Sequence, residues 1–189
     1  MEFTTSRLRV RSFAREDEEA LHRLLSDPAV MRWMEPPYSP AQTRAFLFRA
    51  GLCQPPLVYA AESLSTNCII GYVIYHPYIQ PSDYEIGWAL APCHWGKGLA
   101  TELTAALLDQ AGWVLGPDGI REKDGVRAEL NLLYSTGDSV RQALAADFAN
   151  QLEELGIACT LEGVGWDTAY DRALSDPLIW GWGAHTPME

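Results

Sequence analysis

The sequence predicts an α/β protein, and three stretches carry that prediction. Residues 57–62, 68–75 and 84–90 are short alternating or wholly apolar runs. Turn residues at 65–67 and the prolines Pro77 and Pro81 divide them, the pattern of antiparallel neighbours. The third run passes through Pro92, Gly96 and Gly98 straight into a helical pattern, in which Leu99, Leu103, Ala106, Leu107 and Ala111 recur at spacings of three and four. Residues 127–134, 139–155 and 157–164 then read as strand, helix and strand, a unit whose crossover is right-handed by default.

Taken in order, residues 5–13 alternate, with Leu8 and Val10 on one side, and form a first strand. Glu16, Asp17, Glu18 and Glu19 open a helix where its dipole favours acids. Leu21, Leu24 and Leu25 give it a buried stripe, and Asp27 and Pro28 stop it. Ser39 and Pro40 cap a second helix over 41–50. Residues 68–75 are apolar on both faces and so belong at the centre of a sheet, followed by a loop over 77–81 that carries Tyr78. In 84–90 one face holds Tyr84, Ile86, Trp88 and Leu90. The other holds Glu85, Gly87 and Ala89, a shallow track beside one carboxylate. Gly112 ends the next helix. In 139–155, Val140, Leu144, Phe148, Leu152 and Leu155 form a stripe expected to be buried, Asp138 or Ser139 supplies the cap, and Gly156 the stop. Beyond Trp166 an appended segment with a short helix near 168–174 is expected.

The chain has 189 residues, 48% hydrophobic, enough for one domain or a little more. No run approaches the roughly 18 apolar residues that span a bilayer, and the N-terminal stretch carries charges where a signal peptide needs apolar residues. A cytoplasmic protein without a membrane partner is expected. Cys53, Cys68, Cys93 and Cys159 are widely spaced and show no zinc-ligand spacing, so free thiols and no metal are expected. The net charge is −11, and it is uneven: residues 1–109 carry 9 basic and 12 acidic side chains, residues 110–189 carry 5 and 13. That balance disfavours nucleic acid as a partner. It suits a cationic amine or basic peptide, or serves solubility alone.

A loop with two glycines between a strand and a helix start presents unpaired backbone N–H groups and a partial positive charge of roughly half an electron. Pyrophosphate is the anion that this arrangement suits best, because glycine lets it approach the backbone. Residues 84–88, Tyr-Glu-Ile-Gly-Trp, and 95–102, Trp-Gly-Lys-Gly-Leu-Ala-Thr-Glu, resemble the acetyl-CoA-binding motif of the GNAT N-acetyltransferases, closest to the branch that includes the ribosomal-protein N-terminal acetyltransferases. The family's loop reads Gln/Arg-x-x-Gly-x-Gly/Ala. Trp95 stands in its first place, Gly98 in its fourth and Ala100 in its sixth. The resemblance is continuous over about residues 1–111.

It implies a GNAT-like fold, with a mixed, mainly antiparallel sheet flanked by helices, and transfer of an acetyl group from acetyl-CoA to a primary amine. The acceptor class is a small-molecule amine or a peptide N-terminus. Backbone N–H groups of Trp95, Gly96, Lys97, Gly98, Leu99, Ala100 and Thr101 would grip the pyrophosphate, with Lys97 adding charge. Backbone groups of Trp88, Ala89 and Leu90 would pair with the pantetheine arm. Glu85 is the candidate base, since a carboxylate set in an apolar sheet takes a proton more readily; otherwise it is a solvated carboxylate at the strand's mouth. His94 is a loop histidine or a group titrating near neutrality. The family's substrate loop falls on Trp33, Met34 and Tyr38, which otherwise serve the core. The tyrosine that many members use to protonate the leaving thiolate has one counterpart, Tyr134.

From about residue 105 to 189 the chain instead resembles a piece of the peptide- and nickel-binding solute receptors of ABC importers, in residues 105–157 and again in the ending at 180–187. The two resemblances overlap on one helix, so the chain reads as a splice: a GNAT-like part, 1–111, and a receptor-like segment, 112–189. The receptor-like strand-helix-strand is expected to complete the GNAT-like sheet beside 84–90 and give one compact domain. A non-enzymatic reading stands beside the enzyme: a peptide-binding fragment, with Trp166, Trp180 and Trp182 in its surface, or an inactive chimera.

Overall fold

In the computed structural model, which describes residues 1–173 and 175–179, the alternating runs of the first half form one antiparallel sheet. Its strands are β1 (Phe3–Thr4), β2 (Leu8–Arg11), β3 (Val58–Ser63), β4 (Ile69–Tyr78) and β5 (Gln80–Leu90), side by side in chain order. Helices cover both faces. On one side α1 (Glu18–Leu25), the single turn α2 (Pro28–Met31) and α3 (Pro40–Phe46), which continues as a π turn over Leu47–Gly51, enclose Leu21, Leu25, Leu47, Ala60 and Tyr72. On the other, α4 (Leu99–Gln110) lays Leu99, Leu103 and Leu107 on Leu8, Val10, Tyr59, Ile70, Val73 and Leu90. These are the periodic positions of the sequence, and their spacing of three and four puts them on one helical face.

β4 is longer than expected. It runs through Pro77 to Tyr78, and Ile79 alone makes the turn into β5. Ala91 N–H donates to Ile70 O, which fixes the ladder's phase and leaves the Pro77–Tyr84 pair at a position without ladder bonds. The missing N–H of Pro77 therefore costs β4 no bond to β5.

These elements, with α4 as far as Leu107, make one compact unit, residues 1–107, and residues 108–189, which begin with the last turn of α4, form a second. The second opens with a small antiparallel sheet that sequence reading missed: β6 (Val114–Leu115), β7 (Arg121–Lys123) and β8 (Val126–Arg127). It goes on with β9 (Glu129–Ser135), α5 (Ser139–Glu154), β10 (Ala158–Val164) and α6 (Trp166–Arg172). β9 and β10 pair in parallel, so the strand-helix-strand unit is present. The expectation that it completes the first sheet, giving one compact domain, is corrected: β9 takes β10 as its hydrogen-bonded neighbour in a separate two-stranded sheet, and the first sheet ends at β5. The parallel strands stand there, while the first sheet is antiparallel throughout.

The buried face of α5 is also corrected. Val140, Leu144 and Phe148 are exposed, and Ala145 and Ala149 are buried instead. A sheet of two strands can cover only a narrow strip of a helix, and alanines allow the closest approach to it. Asp138 caps α5 through bonds to the N–H groups of Val140 and Arg141. α6 starts two residues before the expected 168. Leu174, Trp180 and Trp182 lie outside the described residues. No helix among the described residues is long and apolar enough to cross a membrane.

Candidate functional site

The loop between β5 and α4 is held in the shape that the two glycines allow. Gly96 and Gly98 lie at φ 67° and 70°, in the left-handed region that side chains disfavour. A Cβ built on Gly96 would meet nothing within 4 Å, and one on Gly98 only an Arg7 guanidinium nitrogen at 3.8 Å. The space before the loop is open. Gly98 precedes the first residue of α4 and has no side chain to cap it, so the N–H groups of Leu99, Ala100 and Thr101 begin the helix without intrahelical partners.

These groups border a cavity of about 450 Å³, lined by Val30 from α2 and Met34 from the bend after it, Trp88, Ala89 and Leu90 from β5, and His94, Trp95, Gly96, Gly98, Leu99, Ala100 and Thr101 from the loop and helix. The fold thus gathers nine of the ten residues expected to hold the cofactor. Lys97 faces a neighbouring cavity instead. The indole Nε1 of Trp95 donates to Leu90 O at 2.6 Å, locking the loop to the strand end. This is what a tryptophan does in the loop's first place.

That bond and the ladder phase revise which β5 backbone groups are offered to a ligand. Ala89 directs its N–H and C=O to Tyr72 in β4, so its backbone is not available, although its methyl lines the cavity. Trp88 and Leu90 direct theirs to the open edge, where the Leu90 carbonyl is already taken by Trp95.

Glu85 sits on the Ala89 face of β5, four residues nearer the hairpin turn, about 13 Å away at about 3.3 Å per residue. It is not enclosed by apolar side chains, as a buried base would be. Its side chain is 45% exposed, and its Oε2 lies 3.4 Å from Nε2 of His76, the residue directly opposite on β4. His76 Nδ1 is 2.8 Å from Pro77 O, and a carbonyl only accepts, so Nδ1 carries the hydrogen and Nε2 turns to Glu85. Sequence reading missed this partner, which the hairpin register supplies. His94, at the cavity wall, is kept neutral more readily than an ordinary histidine, through burial and then the charge of Lys97.

Of the expected substrate loop, Met34 reaches the cavity. Trp33 is 84% exposed and stacks on the Arg32 guanidinium. Tyr38 packs its ring on Phe46 and donates its hydroxyl to Glu35, which makes it part of the wall behind α3. Tyr134 belongs to the second unit, where its ring lies across Gly163 of β10.

The other element missed from sequence is a strap on the α4 start. Glu102 accepts from Ser6 Oγ, Arg7 N–H and Arg7 Nε, and Arg7 Nη1 donates to Lys97 O at 2.8 Å. Burial pushes the Glu102 carboxyl up. The hydrogen bonds from Thr5, Arg7 and Ser6 together outweigh it and take it from the ordinary 4.5 to about 2. A carboxyl lowered on folding stabilises the fold above its unfolded value and loses that contribution as pH falls. Glu102→Gln is therefore expected to destabilise the first unit at pH 7. The gap to the parent protein should close between about 4.5 and about 2, as urea unfolding at a series of pH values will show. A gap independent of pH would mean that the charge of Glu102 does not hold the strap.

The site is thus an unobstructed glycine loop at the head of a helix, beside the edge strand of an antiparallel sheet. Two family models match the chain: the acetyltransferase (GNAT) domain over residues 7–129, and the bacterial extracellular solute-binding proteins, family 5 middle, over residues 73–188. The chain belongs to the GNAT acetyltransferase family over the first of these ranges and to the family 5 solute-binding proteins over the second, as a chimera of the two. It is 30% identical over 113 residues to the uncharacterized N-acetyltransferase YnaD of Bacillus subtilis, covering 58% of this chain and 64% of that protein. It is 40% identical over 80 residues to Protein XP55 of Streptomyces lividans, covering 41% of this chain and 15% of that protein. The chain thus spans less than two thirds of either relative. Among solved structures, an acetyltransferase (GNAT family) from Bacillus anthracis superposes with a TM-score of 0.54 at 30% identity, over 58% of this chain and 64% of that one.

Proposed function

We propose that the chain is an N-acyltransferase that moves an acetyl group from acetyl-CoA to a primary amine, on a small molecule or a peptide N-terminus. The observation that carries this reading is the unobstructed glycine loop at the head of α4 in a chain of the GNAT family. The N–H groups of Leu99, Ala100 and Thr101 hold the diphosphate. The pantetheine arm runs along the open edge of β5, bonded to the outward backbone groups of Trp88 and the Leu90 N–H, over the small side chains of Ala89 and Gly87. Its thioester end thereby approaches Glu85. The amine nitrogen attacks the thioester carbonyl and the C–S bond breaks. The proton released by the ammonium goes to Glu85, directly or through a water, in the pair it forms with His76. A thiolate leaves readily, since an ordinary thiol ionises near about 8.5, so this step requires no acid from the protein. The expected acid, Tyr134, has no part in the reading. Acetyl-CoA is an intracellular metabolite, so the reading places the protein in the cytoplasm.

Calorimetry is expected to show acetyl-CoA binding with micromolar affinity, and thiol release should follow when a panel of amines is added. Glu85→Gln should lower transfer about 100-fold, in the range for a lost general base, with affinity for acetyl-CoA kept. No heat with acetyl-CoA would end the enzyme reading. The family 5 match over residues 73–188 favours one second reading, a peptide-binding fragment. Binding of oligopeptides without binding of acetyl-CoA would establish it.

A further inference from the structure

A second cavity of about 550 Å³ adjoins the first and shares His94 and Leu99 with it. Its other lining residues are Ser6, Arg7, Leu8, Ser63, Leu64, Ser65, Ile70 and Lys97, and the proposed chemistry does not use it. The chain has 25 acidic side chains against 14 basic ones, yet two of the basic ones, Arg7 and Lys97, line this cavity and no described acid does. Arg7 is not a loose surface cation. Its Nε is tied to Glu102 at 2.6 Å and its Nη1 to Lys97 O, so Nη2 is turned toward Gly98, within 3.8 Å of where a Cβ would stand. The guanidinium is therefore pre-set beside the anion loop, and little side-chain freedom remains to be lost when a ligand arrives. Ser63 and Ser65 share one hydrogen bond between their hydroxyls, which leaves one hydroxyl hydrogen of the pair for a ligand.

We propose that this cavity is the seat of a phosphomonoester, the ribose 3′-phosphate of coenzyme A, held by Arg7 Nη2, the Lys97 ammonium and the Ser63–Ser65 hydroxyls. The inference rests on the acetyl-CoA reading above and extends it. In the coenzyme the 3′-phosphate is one ribose away from the diphosphate, so it has to land in a cavity adjoining the cradle, and this one adjoins it. A phosphomonoester carries about −1.5 to −2 charges near neutrality, more than the diphosphate cradle neutralises by backbone alone. Two cations and a hydroxyl are the matching set.

The test is calorimetry on the full chain with acetyl-CoA and with 3′-dephospho-acetyl-CoA. The parent protein is expected to bind acetyl-CoA about tenfold to hundredfold more tightly, the range for one or two hydrogen bonds between ionised groups. In Lys97→Gln, which keeps the Arg7–Glu102 pair, and in Arg7→Gln, that preference should fall to about threefold or less, through weaker binding of acetyl-CoA alone. Equal binding of the two ligands by the parent protein would overturn the subsite and leave the diphosphate cradle standing. A preference that survives both substitutions would place the phosphate elsewhere and overturn it too. Binding of neither ligand would overturn the subsite together with the enzyme reading.

Discussion

Gly98→Asp is expected to weaken acetyl-CoA binding by more than about 100-fold while leaving the first unit as stable as before. The two effects separate because the position has room and no tolerance for charge. Gly98 is at φ 70°, where aspartate is among the less disfavoured residues, and its new Cβ would meet only Arg7, at 3.8 Å. Standing just before Leu99, the first residue of α4, the new carboxylate can accept from the helix N–H groups as a cap and pair with Arg7. The αL cost of about 1 kcal/mol and the cap's gain of similar size offset each other. The same carboxylate occupies the groups that the diphosphate needs and sets a like charge against it. Thermal unfolding should therefore be unchanged within a few degrees while calorimetry finds no heat. Gly98→Ala is the control that carries the strain without the charge, and it should retain most of the affinity. Tight binding by Gly98→Asp would show that the coenzyme does not use this loop.

Much of this site was legible from sequence because it is local. A strand, Pro92, two glycines and a helix of period near four occupy 84–110 without a break, and a local run of that kind dictates its own backbone. What was not legible depends on residues far apart in the chain. Arg7 and Glu102 are 95 positions apart, and only the placing of β2 against α4 brings them together. His76 meets Glu85 because the hairpin turns at Ile79, a register that Pro77 and Pro81 do not reveal. Trp95 showed as a departure from the family's loop pattern, and its bond to Leu90 O gives the reason only once the loop is folded. Apolar spacing marks a stripe on α5 but not which surface is wide enough to cover it, so Val140, Leu144 and Phe148, core positions by their spacing, are exposed. The pairing choice of β9 is of the same kind. A strand pattern carries no address, and either the edge of β5 or the parallel partner β10 satisfied it on paper.

Arg121→Met is expected to destabilise the second unit by about 3 kcal/mol or more, the largest loss for any single side chain there. Arg121 is 3% exposed, and its guanidinium ties the end of α5 to the last turn of α4 and the segment that follows it. Its Nη1 donates to the Asp109 carboxylate at 2.5 Å, in the last turn of α4, and to Trp113 O at 2.6 Å, three residues beyond that helix, and its Nε donates to Leu155 O at 2.7 Å, at the end of α5. Carbonyls at a helix C-terminus lack intrahelical donors, and the dipole there favours a cation, so the buried charge serves the Leu155 carbonyl of α5 and the Asp109 carboxylate in the last turn of α4. Its own backbone N–H donates to Gly156 O at 2.7 Å, beside the turn out of α5. Methionine keeps much of the volume and the stem packing but leaves two carbonyls without their donor and Asp109 without its partner. Each such loss costs about 1–3 kcal/mol. Urea unfolding followed by far-UV circular dichroism should show the transition moved to lower urea, and hydrogen exchange should show the amides of β9, α5 and β10 losing protection first. Arg121→Lys should recover only part of the loss, because an ammonium on a shorter reach cannot present the planar fork that spans both helix ends. An unchanged midpoint in Arg121→Met would mean that α4 and α5 end as firmly without it, and that the second unit is held by its apolar contacts alone.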